Sequence, residues 1–444
     1  MNQIFLFPTY NIILSYLNKM RTIIDFHIHS KYSRATSKNF DLEEMVKWSE
    51  IKGVDIISCA DFTHPAWFKI LKENLIEDQL GSGLYQLKNN KSKVRFIIST
   101  EVSCIYRQGD KTRRVHLCIL APSLQVAEKI NKKLEARGAK LASDGRPILG
   151  MSAKDVLNII LEADQNCMMI PAHAWTPWFA VFGSKSGFNS LQECFEDLTP
   201  HIKAIETGLS SDPLMNWHLS ELDNIVLVSN SDAHSGPKIG REANVMDLDK
   251  FSYSEIIEVI KNKDKERFLY TIEFYPEEGM YYYDGHRDCG FSCSPQETST
   301  KYKGVCPKCK KPLTIGVLYQ VDKLADRLTN QIQQNKHISY KSIIPLPDII
   351  ADYYGVNSGS KKVTNLFEEI IQSAGNEFRV LLDLSKLELN KFMPEVLAEG
   401  IIRMRQNRVK IISGFDGQYG QVEIFSEQER KQSKDNEQTS MFIE

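Results

Sequence analysis

From Arg21 to about Tyr275, short runs of consecutive apolar residues alternate with stretches whose apolar positions recur every three or four residues. Seven of the runs read as strands: Thr22–His29, Asp55–Asp61, Val94–Ser103, Val115–Ala121, Cys167–His173, Ala204–Gly208 and Ile225–Ser231. Unbroken apolar character marks strands that are covered on both faces. The stretches between them read as helices. In Asp41–Lys52, for example, Asp41 can cap, Glu44 sits three residues on, and Gly53 follows the end. Repeated β-α units of this kind fit a closed parallel barrel better than an open sheet, and such barrels gather their chemistry at the carboxyl ends of the strands.

The pattern changes beyond the barrel segment. Residues 277–320 are rich in thiols and lysines, and from Val321 the spacing predicts helices over Val321–Gln334, Ser360–Ala374 and Lys391–Asn407. The expected organisation is an unstructured extension (1–20), a barrel (21–276), a thiol-rich insert (277–320), a helical domain (321–425) and a disordered polar tail (426–444). Residues 1–19 are apolar but lack the positive start and small-residue cleavage site of a signal peptide. They read as an ill-ordered extension, or as the product of an upstream start with Met20 the functional one. No run is long and apolar enough to span a membrane.

Composition adds two limits. A formal net charge of −2 gives no global electrostatic case for nucleic acid, so any basic surface must be local. Nine cysteines, an odd number scattered through a long chain, favour reduced thiols and metal ligands over a disulfide framework, and with them a cytoplasmic setting.

The chemistry-bearing residues fall where a barrel would put them. His27 and His29 end the first run with one residue between, so in a strand both face one point. Asp61 ends the second run with His64 just beyond, Glu101 lies late in the third, His173 ends the fifth, and Asp232 and His234 follow the seventh. His116 is a misfit, since it begins the fourth run. Any one of these has a plain alternative, a helix cap or a hydrogen-bonded core residue. Together with His286 they place seven of the ten histidines suggestively, and mixed imidazole and carboxylate ligands in that number suit two or three ions.

In the insert, Cys306-Pro-Lys-Cys309 is a zinc-knuckle signal, because a tight turn brings both thiolates onto one ion. His286 and Cys289 complete a His-Cys₃ set, with Cys289 and Cys293 as a competing Cys₄ reading. Lys301, Lys303, Lys308, Lys310 and Lys311 crowd the same stretch, either as a solvated face or as phosphate contacts. Arg403, Arg405, Arg408 and Lys410 pose the same choice between a helix end and a DNA-facing edge. The loop Gly414–Gly420 lacks the lysine of a nucleotide-binding P-loop.

The set His27-x-His29, Asp61, His64, Glu101, His116, His173 and Asp232-x-His234 resembles the PHP phosphoesterase superfamily. Within it the strings HSKYSRATS (29–37), DFTHP (61–65), SDAHSGPKIGRE (231–242), DGHRDC (284–289), CPKCKKPLTIGV (306–317) and GFDGQYG (414–420) resemble the endonuclease Q family, over about residues 21 to 425. One departure concerns the second motif, in many members an aspartate followed at once by histidine. Here Phe62 and Thr63 separate Asp61 from His64.

The resemblance implies a distorted seven-stranded βα (TIM-like) PHP barrel whose nine residues above hold two to three divalent ions (Zn, Mg or Mn). It implies that Asp232, His234, Glu101 and His173 carry the chemistry, with Asp25 orienting a histidine, and that one structural zinc sits in the insert. It further implies a DNA-repair endonuclease that nicks 5′ of uracil, hypoxanthine, xanthine or an abasic site. Lys31, Arg34, Lys238 and Arg241 are then the expected phosphate contacts, and Trp175–Phe179 and Gly236–Arg241 the expected rim of a base pocket, with Trp175 as a DNA contact. Two other readings use the same residues. A small-molecule phosphatase of the histidinol phosphate type needs the barrel alone, and a non-catalytic DNA-binding scaffold needs neither ion nor reaction.

Overall fold

All seven expected runs contain strands, whose bounds differ from those of the runs by a few residues. A computed structural model describes residues 20–430. The expected extension therefore lies outside the described residues apart from Met20, and so does the tail beyond Arg430. In chain order the first twelve strands are β1 (Met20–Asp25), β2 (Ile56–Ser58), β3 (Leu75–Glu77), β4 (Leu84–Leu87), β5 (Arg95–Gln108), β6 (Lys111–Ala121), β7 (Ile148–Leu149), β8 (Met168–Pro171), β9 (Ala204–Glu206), β10 (Val226–Val228), β11 (Ala243–Leu248) and β12 (Phe268–Glu273), and Ser339–Ser342 pairs with β12 at the edge of the main sheet. The fold is mixed α/β, built on an eleven-stranded sheet with many helices.

The uniformly parallel arrangement is corrected at one place. β1, β2 and β5 pair in parallel, but β6 turns back against β5 from Gln108–Lys111 to Ile98–Ala121, and β8 is antiparallel to β6. The cause is local. Gly109 and Asp110 alone separate the two strands, with Gly109 at φ +59°, which makes a tight hairpin and leaves no room for a crossover helix. β9 and β10 form their own parallel pair. Single contacts link this pair to the larger sheet: Ala174 N–H donates to the Glu206 carbonyl, and Ile28 bridges to Ala233. One apolar cluster takes Ile24, Ile56, Ile97, Leu120, Met168, Ala204 and Val226, one residue from each of these seven strands. Alternate residues such as Ile23, Ile57 and Ile98 pack into a second cluster with the helices, which is why the runs are apolar throughout. Outside these seven strands, β11 and β12 add antiparallel strands beyond β1.

The helix Leu42–Lys52 forms as expected: the Asp41 side chain accepts the Glu44 N–H, and Gly53 closes the end at φ +87°. The helices Lys361–Ala374 and Glu395–Arg405 also stand where expected. Val321–Gln334 does not form one helix. The helix there covers Val317–Leu324, and the charged run after it is spent on a tether, with Arg327 donating to the Trp217 carbonyl and to Asp223. The polar tail is ordered at its start: Ser426 caps a turn through the Glu429 N–H, and Arg430 pairs with Asp352. Among the described residues no helix is long and apolar enough to cross a membrane.

Candidate metal centre

Glu101, in the middle of the long strand β5, is the point on which the candidate ligands converge. Its Oε1 lies 2.8 Å from His116 Nδ1 and 3.2 Å from His173 Nε2. Its Oε2 lies 3.2 Å from His29 Nε2 and 3.5 Å from His27 Nε2. Each oxygen thus faces a different pair of imidazoles. Asp232 Oδ1 reaches the second pair, 3.0 Å from His29 Nε2 and 3.6 Å from His27 Nε2, and the His234 ring lies over His29 at 4.4 Å. The antiparallel turn of β6 removes the misfit of His116. Because β6 runs backwards, its beginning lies toward the carboxyl ends of its antiparallel neighbours β5 and β8.

The backbone holds these side chains in a demanding way. Asp61, His173 and Asp232 all sit at positive φ, +40°, +30° and +46°. Few non-glycine residues adopt that region, and it persists where the surroundings over-determine it. The surroundings are visible: a Cβ on Gly208 would lie 2.6 Å from His173 Cβ, and one on Gly145 would lie 2.3 Å from Asp61 Oδ2.

Two expected ligands stand apart. Asp61 is occupied by protein: Oδ2 accepts the Ser30 N–H and hydroxyl, both at 2.7 Å, and the Ser33 hydroxyl at 2.9 Å, while Oδ1 lies 3.2 Å from His29 Nδ1. It orients His29 from behind. His64 begins the helix Pro65–Asn74 and stacks on Tyr32 at 4.5 Å, outside every group of converging ligand atoms. Asp25 contacts no imidazole; it accepts the N–H groups of Ser231, His27 and Gly240, tying the first strand end to the last loop.

Sequence reasoning missed three residues here. Glu206 lies 3.1 Å from His27 Nδ1 through both oxygens. Arg146 donates to Glu101 Oε2 at 3.0 Å. Cys118 lies with His27 and Glu206 in a third converging group.

The electrostatics are those of a packed ionic cluster. Burial opposes a charged His29, but the nearby carboxylates of Asp232, Asp61 and Glu101 lift it well above the usual imidazole range. His27 is raised in the same way against its burial by Cys118, Glu206 and Glu101. Burial drives His116 down to about 4 and pushes the Asp25 carboxyl up to about 6. Glu101 and Asp232 resist burial and stay well below the usual carboxylate range, Glu101 beside His116 and Arg146, Asp232 beside His29 and His27. Among the described residues His27 Nε2, His29 Nε2 and Asp232 Oδ1 are buried atoms without a hydrogen-bond partner. Unpaired buried donor atoms converging on carboxylates are what metal ions would satisfy. The residues fit the group.

In the insert, ligand atoms of His286, Cys289, Cys306 and Cys309 all lie within 4.8 Å of one another. Cys293 stays outside that set, with its thiol 3.2 Å from the Thr298 hydroxyl.

The expected DNA contacts divide. Trp175 is buried in the core, donates to Asn216 and stacks on Phe182. It sits in the turn that His173 opens, where the Thr176 N–H donates to the His173 carbonyl at 3.2 Å. The aromatic that does face outward is Trp178, which with Tyr281 and Tyr419 walls a cavity of about 270 Å³ that opens beside His173 and Asp232. Lys31 pairs with Asp41 at 3.7 Å, and the Arg34 side chain is exposed. Arg241 donates to the Ser231 carbonyl behind Asp232, and Lys238 and Arg241 line a separate groove with Trp48 and Phe367. The cationic run near the C terminus is structural in part: Arg405 donates to the carbonyls of Val380, Leu381 and Leu384, and Arg403 pairs with Glu429.

Residues 345–408 match the family model described as the MJ0043 C-terminal domain. The uncharacterized protein MJ0043 of Methanocaldococcus jannaschii is 30% identical over 278 residues, 60% of this chain and 34% of that protein, so the match spans about a third of the relative's length. The structure of the lesion-specific endonuclease PfuEndoQ from Pyrococcus furiosus is 26% identical and superposes with a TM-score of 0.81 over 92% of this chain and 96% of that one. A structure of endonuclease Q with a 27-mer duplex carrying an abasic lesion at the active site is 27% identical, with a TM-score of 0.81 over 93% and 98% of the two chains.

Proposed function

We propose that this endonuclease Q-like protein is a metal-dependent endonuclease of DNA repair. It nicks the phosphodiester 5′ of uracil, hypoxanthine, xanthine or an abasic site and leaves a 3′ hydroxyl and a 5′ phosphate. The observation that carries this reading is the double use of Glu101, one oxygen toward His116 and His173, the other toward His27 and His29. Glu101 would hold cations together with these two pairs of imidazoles. His27, His29, Asp232 and His234 would hold the remaining positions, for two to three divalent ions (Zn, Mg or Mn) in a distorted barrel formed by residues 21–276. When bound, such ions supply a water acidic enough to attack phosphorus and neutralise charge on the phosphate.

The protein's own groups supply the rest. Arg146, held against Glu101, offers a guanidinium where negative charge gathers on the phosphate oxygens. The cavity beside His173 and Asp232 is mostly apolar and ringed by Trp178, Tyr281 and Tyr419, which suits the stacking of an extruded base. Asn230 lines it too. Its Oδ1 already accepts from Phe26 N–H and from Asn244, so Nδ2 is fixed as a donor, and it has no partner among the described residues. Deamination turns an amino donor into a carbonyl acceptor, and a spare donor favours the acceptor. In the insert His286, Cys289, Cys306 and Cys309 would bind one structural zinc.

The test is direct. Purified protein with Mg²⁺, Mn²⁺ or Zn²⁺ should nick a labelled duplex once, 5′ of a single uracil, hypoxanthine or abasic site, and spare the undamaged duplex. Absence of a lesion-dependent nick with all three metals would sink the reading, and phosphate release from histidinol phosphate would move it to a small-molecule phosphatase.

A further inference from the structure

We propose that Glu206 is the positioning residue that locks together the two halves of the metal centre, an inference that rests on the metal-dependent reading above. Glu206 is the last residue of β9 and is 1% exposed. Both of its oxygens lie 3.1 Å from His27 Nδ1, and Oε2 also accepts the backbone N–H of His173 at 2.7 Å. Its own carbonyl accepts the N–H of Ala174 at 2.9 Å. His27 faces one oxygen of Glu101 and His173 the other. One side chain therefore grips the ring of a ligand on the first side and the backbone of a ligand on the second.

The two grips do different work. A carboxylate at Nδ1 accepts the proton of that nitrogen and so leaves Nε2, on the side of Glu101 and Asp232, as the atom that would take a cation. The bond to the His173 N–H, with Gly208 pressed on the other side, pins a residue held at φ +30°. The side-chain type matters. Glutamine would keep the volume, but its amide would offer a proton to Nδ1 and so favour the tautomer with the proton on Nε2, where no ion can bind. Aspartate would keep the charge but fall one methylene short of holding both partners.

The experiment uses the full chain, stripped of metal, as wild type, Glu206→Gln and Glu206→Asp. Affinity for Zn²⁺ and Co²⁺ is read by competition with a chromophoric chelator, the site by the visible spectrum of bound Co²⁺, and the fold by thermal melting and by zinc retained in the insert. Glu206→Gln should bind barrel metal roughly 10–100-fold more weakly, the usual cost of losing such a partner. Its Co²⁺ bands should shift while melting and insert zinc hold. Glu206→Asp should recover part of the affinity. Wild-type affinity and spectrum in Glu206→Gln would overturn the inference. If that variant fails to fold, wild-type affinity in Glu206→Asp would overturn it as well. Wild-type protein that takes up no barrel metal would refute the metal-dependent reading itself, and this inference with it.

Discussion

Replacing Glu273 by glutamine should stabilise the protein in alkali and leave it unchanged in acid. Glu273 ends β12 completely buried, with Oε2 accepting the Thr207 hydroxyl at 2.9 Å and Oε1 that of Thr271. Burial above all, with Asp212 nearby, pushes its carboxyl from the ordinary 4.5 up to about 8. Glu242, equally buried, is raised by its burial and by Glu273. Because the folded value lies above the unfolded one, the folded state keeps a proton that the unfolded chain gives up. The stability from this group is then fully present below about pH 4.5 and is lost as the pH rises to about 8. At about 1.4 kcal/mol per pH unit, the limiting loss across that interval is about 5 kcal/mol, shared with Glu242. Glutamine has the same volume and no charge at any pH. Thermal melting of wild type and Glu273→Gln from pH 5 to pH 9 should show the curves together at pH 5 and the variant several degrees higher at pH 9, at roughly 2–4 °C per kcal/mol. A variant no more stable than wild type at pH 9 would refute the reasoning.

Three further outcomes follow from the site and the insert. Asp232→Asn should abolish nicking and keep binding to lesion DNA, because a charged ligand is lost while the left-handed turn suits asparagine; normal cleavage would remove Asp232 from the centre. Cys306→Ser should cost the insert its zinc by elemental analysis and Cys293→Ser should not; zinc loss in the second would restore the Cys₄ reading. Trp178→Ala should weaken binding to a lesion duplex by about 1–3 kcal/mol with melting unchanged, whereas Trp175→Ala should cost about 3–5 kcal/mol of stability. The reverse pattern would mean that the outward tryptophan is not the stacking surface.

Much of this was legible in the chain itself. Strands buried on both faces announce themselves as unbroken apolar runs, and ligands at their ends are conspicuous because charge there has no packing role. The antiparallel hairpin was legible too: Gln108-Gly109-Asp110-Lys111 is a two-residue turn signal, which a uniform β-α rhythm overrides. Glu206 carried a quieter sign, a lone carboxylate within the apolar run Ala204–Gly208, since buried acids are rare unless paired. Arg146 carried none, for it lies in an aperiodic loop and acquires meaning only from Glu101. The aromatic run after His173 shows the opposite limit. Composition put tryptophan near the centre, but which of Trp175 and Trp178 turns outward depends on the turn that follows β8.

The hairpin of β5 and β6 also fixes an order in time. It delivers Glu101 and His116 from adjacent strands, and His173 joins them after a loop of 57 residues from His116. The other half must wait for a closure of 206 residues, the separation at which Asp25 meets Ser231. Local pairings form before distant ones, and a chain leaving the ribosome meets them in that order. The His116–His173 side of the site therefore needs only short closures, and it can take shape before the segment that carries Asp232 is in place.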